Sequence, residues 1–182
     1  MDALLSTLFP PQTRYHLLGH SFGGMIAFEH LVAIKARGSD LVASVTLIST
    51  PSRAADAVAA QTTLMAKCDS GDEFSSRHFC RVERPKSLVV SEASAFSGLD
   101  AILLWEAGVP RIRNAGAVPF LLLSGEHDYI GEGEMKPWSL LPSLAVRRLS
   151  GCSHCCMIED AGATMSAVEE HLAASEAPRS EA

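Results

Sequence analysis

Gly19-His20-Ser21-Phe22-Gly23-Gly24 limits what this chain can fold into more than any other segment. Before it, Tyr15 to Leu18 is a short apolar run that reads as a buried strand. After it, Phe22 to Arg37 carries Met25, Ile26, Leu31, Val32 and Ile34 at helical spacing, and Gly38 stops the helix. A serine caught between strand and helix needs a very tight turn with strained backbone angles. Side chains at the flanking positions would collide, so Gly19 and Gly23 are expected to supply the missing bulk. Such a turn lifts the Ser21 hydroxyl clear of the sheet, as a nucleophile requires. The Phe22 amide then stands at the helix N-terminus, where it can stabilise an oxyanion. Gly-x-Ser-x-Gly alone is a loose pattern. Both flanking elements and the second glycine, Gly24, sharpen it.

The rest of the chain extends the same architecture. Leu41 to Ile48 is β-branched and apolar, a second strand closed by Pro51. Val118 to Leu123 reads as a third, Leu144 to Leu149 as a weaker fourth, and Thr164 to Ala173 as a last helix. Residues 2–9 read as a short helix halted by Pro10-Pro11, and 175–182 as a frayed polar tail. Strand, helix and strand in this order imply parallel pairing under covering helices, hence an α/β fold. Continuous apolar runs in the second and third strands agree with burial on both faces. The stretch from Ser52 to Ala117 is far longer than the dozen or so residues a crossover needs. With helical material at Ala54 to Cys68 and around Leu99 to Trp105, it reads as an inserted helical subdomain. The expected organisation is a core segment with the serine turn over 1–51, the insertion over 52–117, and the remaining core over 118–174.

A serine at neutral pH needs a base, and the base needs an orienting carboxylate. On a sheet carrying such a turn they follow in the order serine, acid, histidine. Ser124-Gly125-Glu126-His127-Asp128 follows the third strand and makes Asp128 the expected acid, with Glu126 the competitor. Gly151-Cys152-Ser153-His154 follows the fourth strand and makes His154 the expected base. His127 as base would leave no acid before it. His16 falls in a strand, His30 and His171 on helices, His78 in the insertion, and His20 beside the serine, where it lines the pocket. Cys152-Ser-His154-Cys155-Cys156 hints at metal ligation, but Cys68 and Cys80 stand alone and no second pair closes a tetrahedron. These are read as reduced packing cysteines, and neither a metal nor a cofactor is expected.

Composition excludes other classes. Twenty-one acids against 15 bases give a net charge of −6, without the basic excess of a nucleic-acid binder. No run approaches 18 apolar residues, and the first residues lack the basic and apolar regions of a signal peptide. The expectation is a mildly acidic cytoplasmic protein acting on a small substrate, with neither nucleic acid nor membrane as partner.

These motifs resemble the α/β-hydrolase superfamily. The resemblance narrows to proline iminopeptidase-type serine peptidases through Arg77-His78-Phe79-Cys80-Arg81-Val82, which is similar to a cap segment of that group. It implies a partial α/β-hydrolase fold with a mostly parallel sheet, flanking helices and residues 52–117 as a helical cap. It also implies cap acids that hold the free amine of a peptide, for which Glu83, Glu92 and Glu106 are the local candidates. The family pattern carries further strands and an oxyanion loop before the serine turn, so the chain reads as N-terminally truncated, with Tyr15 to Leu18 as an apolar sheet edge open to self-association. The expected activity is removal of N-terminal residues from short peptides. An esterase or thioesterase with the same three residues is the alternative. A silent fragment that binds or dimerises through its edge is another.

Overall fold

The computed structural model describes Thr7, Pro10, residues 12–85 and residues 100–176. The helix expected over 2–9 falls almost wholly outside these residues, as do Glu92, Leu99 and most of the expected tail. The described chain forms one four-stranded sheet in the spatial order β1-β2-β3-β4, parallel throughout. The strands are β1 (Tyr15–His20), β2 (Val42–Ile48), β3 (Phe120–Gly125) and β4 (Leu144–Leu149). Register runs Leu17 to Val45, Leu47 to Leu122 and Leu122 to Val146.

Every residue of β2 and β3 is buried, because helices cover both faces of the sheet. The two-residue period of a strand separates the faces. Val45, Leu47, Phe120 and Leu122 pack with Phe28, Leu31 and Ile34 of α1 (Phe22–Ala36). Ile48, Leu121 and Leu123 turn the other way, toward Ala167 of α8 (Ala161–Glu176) and the cysteines Cys152 and Cys156. Trp138, fully buried, packs edge-on to Phe28 at 5.0 Å and donates its Nε1–H to the Thr50 carbonyl at 2.9 Å.

The first strand departs from its sequence reading. Leu17 and Gly19 are buried, but Leu18 is 54% exposed. Among the described residues β1 pairs only with β2 and is the edge strand of the sheet.

Between β2 and β3 the chain makes α2 (Ala54–Met65), a single turn α3 (Gly71–Phe74) running into a π-helical turn at Ser75–Phe79, then α4 (Asp100–Leu103) and α5 (Val109–Arg113). Its two ends meet in a hydrogen-bonded neck. Ala107 N–H donates to the Ser52 carbonyl at 2.8 Å, and Ala54 N–H to the Trp105 carbonyl at 2.9 Å. Glu29 of α1 receives both Trp105 Nε1–H and Arg111, each at 2.7 Å, which anchors the returning strand of the neck. Ala107, at the neck, and Ile112 and Ala115 after it pack in the main core.

After β3 come α6 (Glu132–Met135) and a 3-10 turn at Lys136–Leu140, and after β4 a short α7 (Cys156–Glu159) leads into α8.

Candidate active site

The turn between β1 and α1 has the strain its sequence implies. Ser21 sits at φ 53° and ψ −118°, a region a non-glycine residue rarely enters, at a cost on the order of 1–3 kcal/mol. Its N–H extends the sheet ladder to the Ile48 carbonyl at 2.8 Å, while its carbonyl already accepts Gly24 N–H at 3.0 Å. One residue thus ends a strand and starts a helix.

The glycines divide the work differently from expectation. A Cβ on Gly19 would lie 2.2 Å from the Gly23 carbonyl oxygen, and one on Gly24 would lie 2.0 Å from Thr50 Oγ1. A Cβ on Gly23 would meet nothing within 4 Å. The pair that must lack side chains is therefore Gly19 and Gly24, because Thr50, just beyond β2, backs onto the first turn of α1. Phe22 is the first residue of α1, so its amide has no acceptor within the helix.

On the neighbouring strand ends, Asp128 and His154 are brought together. Asp128 Oδ1 accepts the Ile130 N–H at 2.9 Å and lies 3.0 Å from His154 Nδ1, and both side chains are almost fully buried. A carboxylate can only accept, so Nδ1 carries the proton and Nε2 is left with the lone pair a base needs. The other carboxylate oxygen, Asp128 Oδ2, is buried without a hydrogen-bond partner. Gly125 permits this approach, since a Cβ there would lie 2.3 Å from the Ser153 carbonyl oxygen.

The competitor acid is employed elsewhere. Glu126 Oε2 accepts Gly151 N–H at 2.9 Å and the Ser150 hydroxyl at 3.0 Å, and these bonds hold its carboxyl below the ordinary range. It staples the loops after β3 and β4 together.

Around His154 stand the rings of Tyr129 at 4.5 Å, His20 at 4.7 Å and Phe79 at 5.3 Å. No hydrogen bond among the described residues joins the Ser21 hydroxyl to His154.

The π-helical turn at Ser75–Phe79 packs directly on these loops. His154 N–H donates to the His78 carbonyl at 3.3 Å and Cys155 N–H to the Phe79 carbonyl at 2.9 Å. His78 Nδ1–H donates to the His127 carbonyl at 3.0 Å. Glu159 of α7 closes the arrangement by accepting Arg81 N–H at 2.8 Å together with the amide and hydroxyl of Ser153. Sequence reasoning missed Glu159 and these uses of His78. No spacing signals them, because most of the contacts are made by main chain.

The sequence's candidate amine-holding acids lie apart. Glu83 and Glu106 are both exposed, Glu106 within the neck opposite Arg53. No contact among the described residues ties either to Ser21, Asp128 or His154. Other acids do adjoin the acid loop. A cavity of about 480 Å³ is lined by Asp56, Ala59, Ala60, Thr63 and Leu64 of α2 and by Asp128, Tyr129, Gly131 and Glu134.

Cys80, Cys152, Cys155 and Cys156 are buried and joined by no disulfide. Burial pushes Cys156 up to about 12 and raises Cys80 and Cys152, so these sulfurs stay protonated and pack as small apolar groups. No group of three or more His, Cys, Asp or Glu side chains suited to a metal occurs among the described residues.

A parallel sheet covered on both faces, with a serine on a strained strand-to-helix turn and a buried Asp-His pair at adjacent strand ends, has the architecture of an α/β-hydrolase. Residues 2–168 match the alpha/beta hydrolase family, and the chain belongs to it. No sequence match was found among curated proteins. Solved structures with the same fold include VinJ, at 18% identity and a TM-score of 0.77, with 95% of this chain and 70% of that one covered. A proline iminopeptidase of Mycobacterium smegmatis aligns at 21% identity and 0.71 over the same shares of each chain. A thermophilic esterase aligns at 18% and 0.63, covering 96% of this chain and 70% of its own. No described helix is long and apolar enough to cross a membrane.

Proposed function

We propose that this protein is a serine hydrolase that removes the N-terminal residue, proline by preference, from short peptides. The observation that carries the reading is the buried 3.0 Å contact between Asp128 and His154, with the Ser21 turn at the same, C-terminal end of the parallel strands. Ser21 Oγ attacks the substrate carbonyl as His154 Nε2 takes its proton, which requires the two atoms to close to about 2.6–3.2 Å. The Phe22 amide stabilises the oxyanion of the tetrahedral intermediate. The C–N bond then breaks, His154 returns the proton to the leaving amine, and water repeats the sequence to release the acyl group. Asp128 holds the imidazole in the tautomer that can accept, and stabilises it once protonated.

Support for a peptide with a free amine comes from the cavity beside Asp128, to which α2 contributes Asp56 and the acid loop contributes Glu134. Asp56, which pairs with Arg53, and Glu134, whose Oε2 accepts the Gly131 N–H at 2.9 Å, line this cavity beside Asp128, and Glu83 and Glu106 are not among its lining residues. The ester reading uses the same three residues through the same acyl-enzyme and is supported by the likeness to an esterase fold.

The test is labelling by a fluorophosphonate probe, with Ser21→Ala as control, followed by aminoacyl amides against simple esters. Labelling lost in the variant is expected, with faster turnover of the amides. Faster ester turnover would favour the second reading. A folded protein that is never labelled and forms a defined oligomer would instead favour association through the open side of β1.

A further inference from the structure

His20 has an employment that the proposed reaction does not use. It is the last residue of β1, one position before Ser21, and its Nε2 lies 2.9 Å from the main-chain carbonyl oxygen of His154. A carbonyl can only accept, so His20 carries its proton on Nε2 and donates. Its ring also packs against the His154 ring, with centroids 4.7 Å apart and planes tilted by 53°. The elbow sits at the end of edge strand β1 and the histidine loop follows β4 at the opposite edge, with β2 and β3 between them. This one side chain spans that gap.

Resting on the reading of Ser21, Asp128 and His154 given above, we propose that His20 is a positioning residue that sets the reach of His154 to Ser21 by holding the His154 carbonyl.

The His154 ring would then be fixed from two sides. Asp128 sets its tautomer and tilt through Nδ1, and His20 fixes the main chain from which the ring projects. A neutral donor suits this place, because a second cation beside His154 would oppose formation of the imidazolium. Burial, followed by the neighbouring His154 ring, lowers His20 to about 4, against the opposing pull of its hydrogen bond to the His154 carbonyl and, less, of Asp128. The His20 ring is therefore uncharged at neutral pH. A displacement of about 1 Å in a reacting group can cost on the order of 100-fold in rate, so one tether is enough to matter.

The experiment compares His20→Phe, which keeps an aromatic ring but loses the donor, with His20→Gln, which keeps an amide donor at similar reach. Thermal unfolding first establishes that both variants fold. Relative to wild type, the Phe variant is expected to lose about 10- to 100-fold in kcat and in fluorophosphonate labelling rate, with KM within about twofold. The Gln variant is expected to recover most of that loss. Imidazole ¹⁵N spectra of the wild type are expected to show His20 as the Nε2–H tautomer without titration between about pH 5.5 and 8.

A Phe variant as fast as wild type, a Gln variant as slow as Phe, or a His20 ring that titrates near its ordinary value would overturn the proposal. A wild-type chain that never reacts would sink the reading of Ser21 and the positioning role with it. A reactive wild type indifferent to His20→Phe would sink the positioning role alone.

Discussion

Two glycines of the elbow, Gly19 and Gly23, face opposite tests. Gly19→Ala drives a methyl into the main chain of α1, at 2.2 Å from a carbonyl that cannot move without unwinding the turn. Overpacking of this kind costs about 1–3 kcal/mol or more, and urea unfolding is expected to show that loss. Gly23→Ala meets open space and is expected to leave the urea midpoint within about 0.5 kcal/mol of wild type, or to raise it slightly through helix propensity. The sequence makes the need for glycine legible but not its address. Gly24 is demanded by Thr50, 26 positions away in the chain, and only the fold brings them together. The acid is a parallel case: Glu126 and Asp128 are both well placed in the sequence, and the hydrogen bonds of Glu126 to Ser150 and Gly151 separate them. Asp128→Asn is accordingly expected to lower kcat by roughly 10³–10⁴ with little change in fold, because an amide at that position favours the wrong tautomer of His154. Steady-state kinetics with the best substrate measures it.

At the scale of elements, β2 and β3 were legible because both faces are covered, and their sequences, VASVTLI and FLLLSG, are largely apolar and carry no charge. The exposure of Leu18 was not, since the outer side of β1 depends on what lies beside it and not on its own residues. Neither was α5, a five-residue helix with a single deeply buried side chain, Ile112. The π-helical turn at Ser75–Phe79 was legible only as part of an insertion, yet it is bonded to both functional loops. Glu159 is the residue that locks it there, and losing hydrogen bonds to a charged group costs about 1.5–3 kcal/mol each. Glu159→Ala is expected to speed amide exchange of Arg81 and Ser153 by about tenfold or more, leaving β2 and β3 as protected as before. Hydrogen exchange read by mass spectrometry checks this. Equal acceleration throughout the sheet would mean that the turn is part of the global folding unit.

For the whole molecule, two histidines, partly buried His20 and buried His171, link stability to pH. Burial lowers both His20, to about 4, and His171. The unfolded chain takes up protons at these sites below about pH 6.5, while the folded chain resists until lower pH. Stability is therefore full above about pH 6.5 and falls as the medium is acidified toward pH 4. The His20 share is on the order of 3 kcal/mol. Urea unfolding at a series of pH values is expected to give this slope, and His20→Gln a shallower one. The neck bears on chain length as well as stability. Because Ser52 and Ala107 are already in hydrogen-bond contact, whatever chain runs between them leaves and returns at one point. Closing such a loop grows costlier by only about 0.6 kcal/mol per doubling of its length. Length can therefore vary between the two ends at little closure cost, while any replacement must still supply the hydrogen bonds that Ser75–Phe79 and Arg81 make to the segments after β3 and β4.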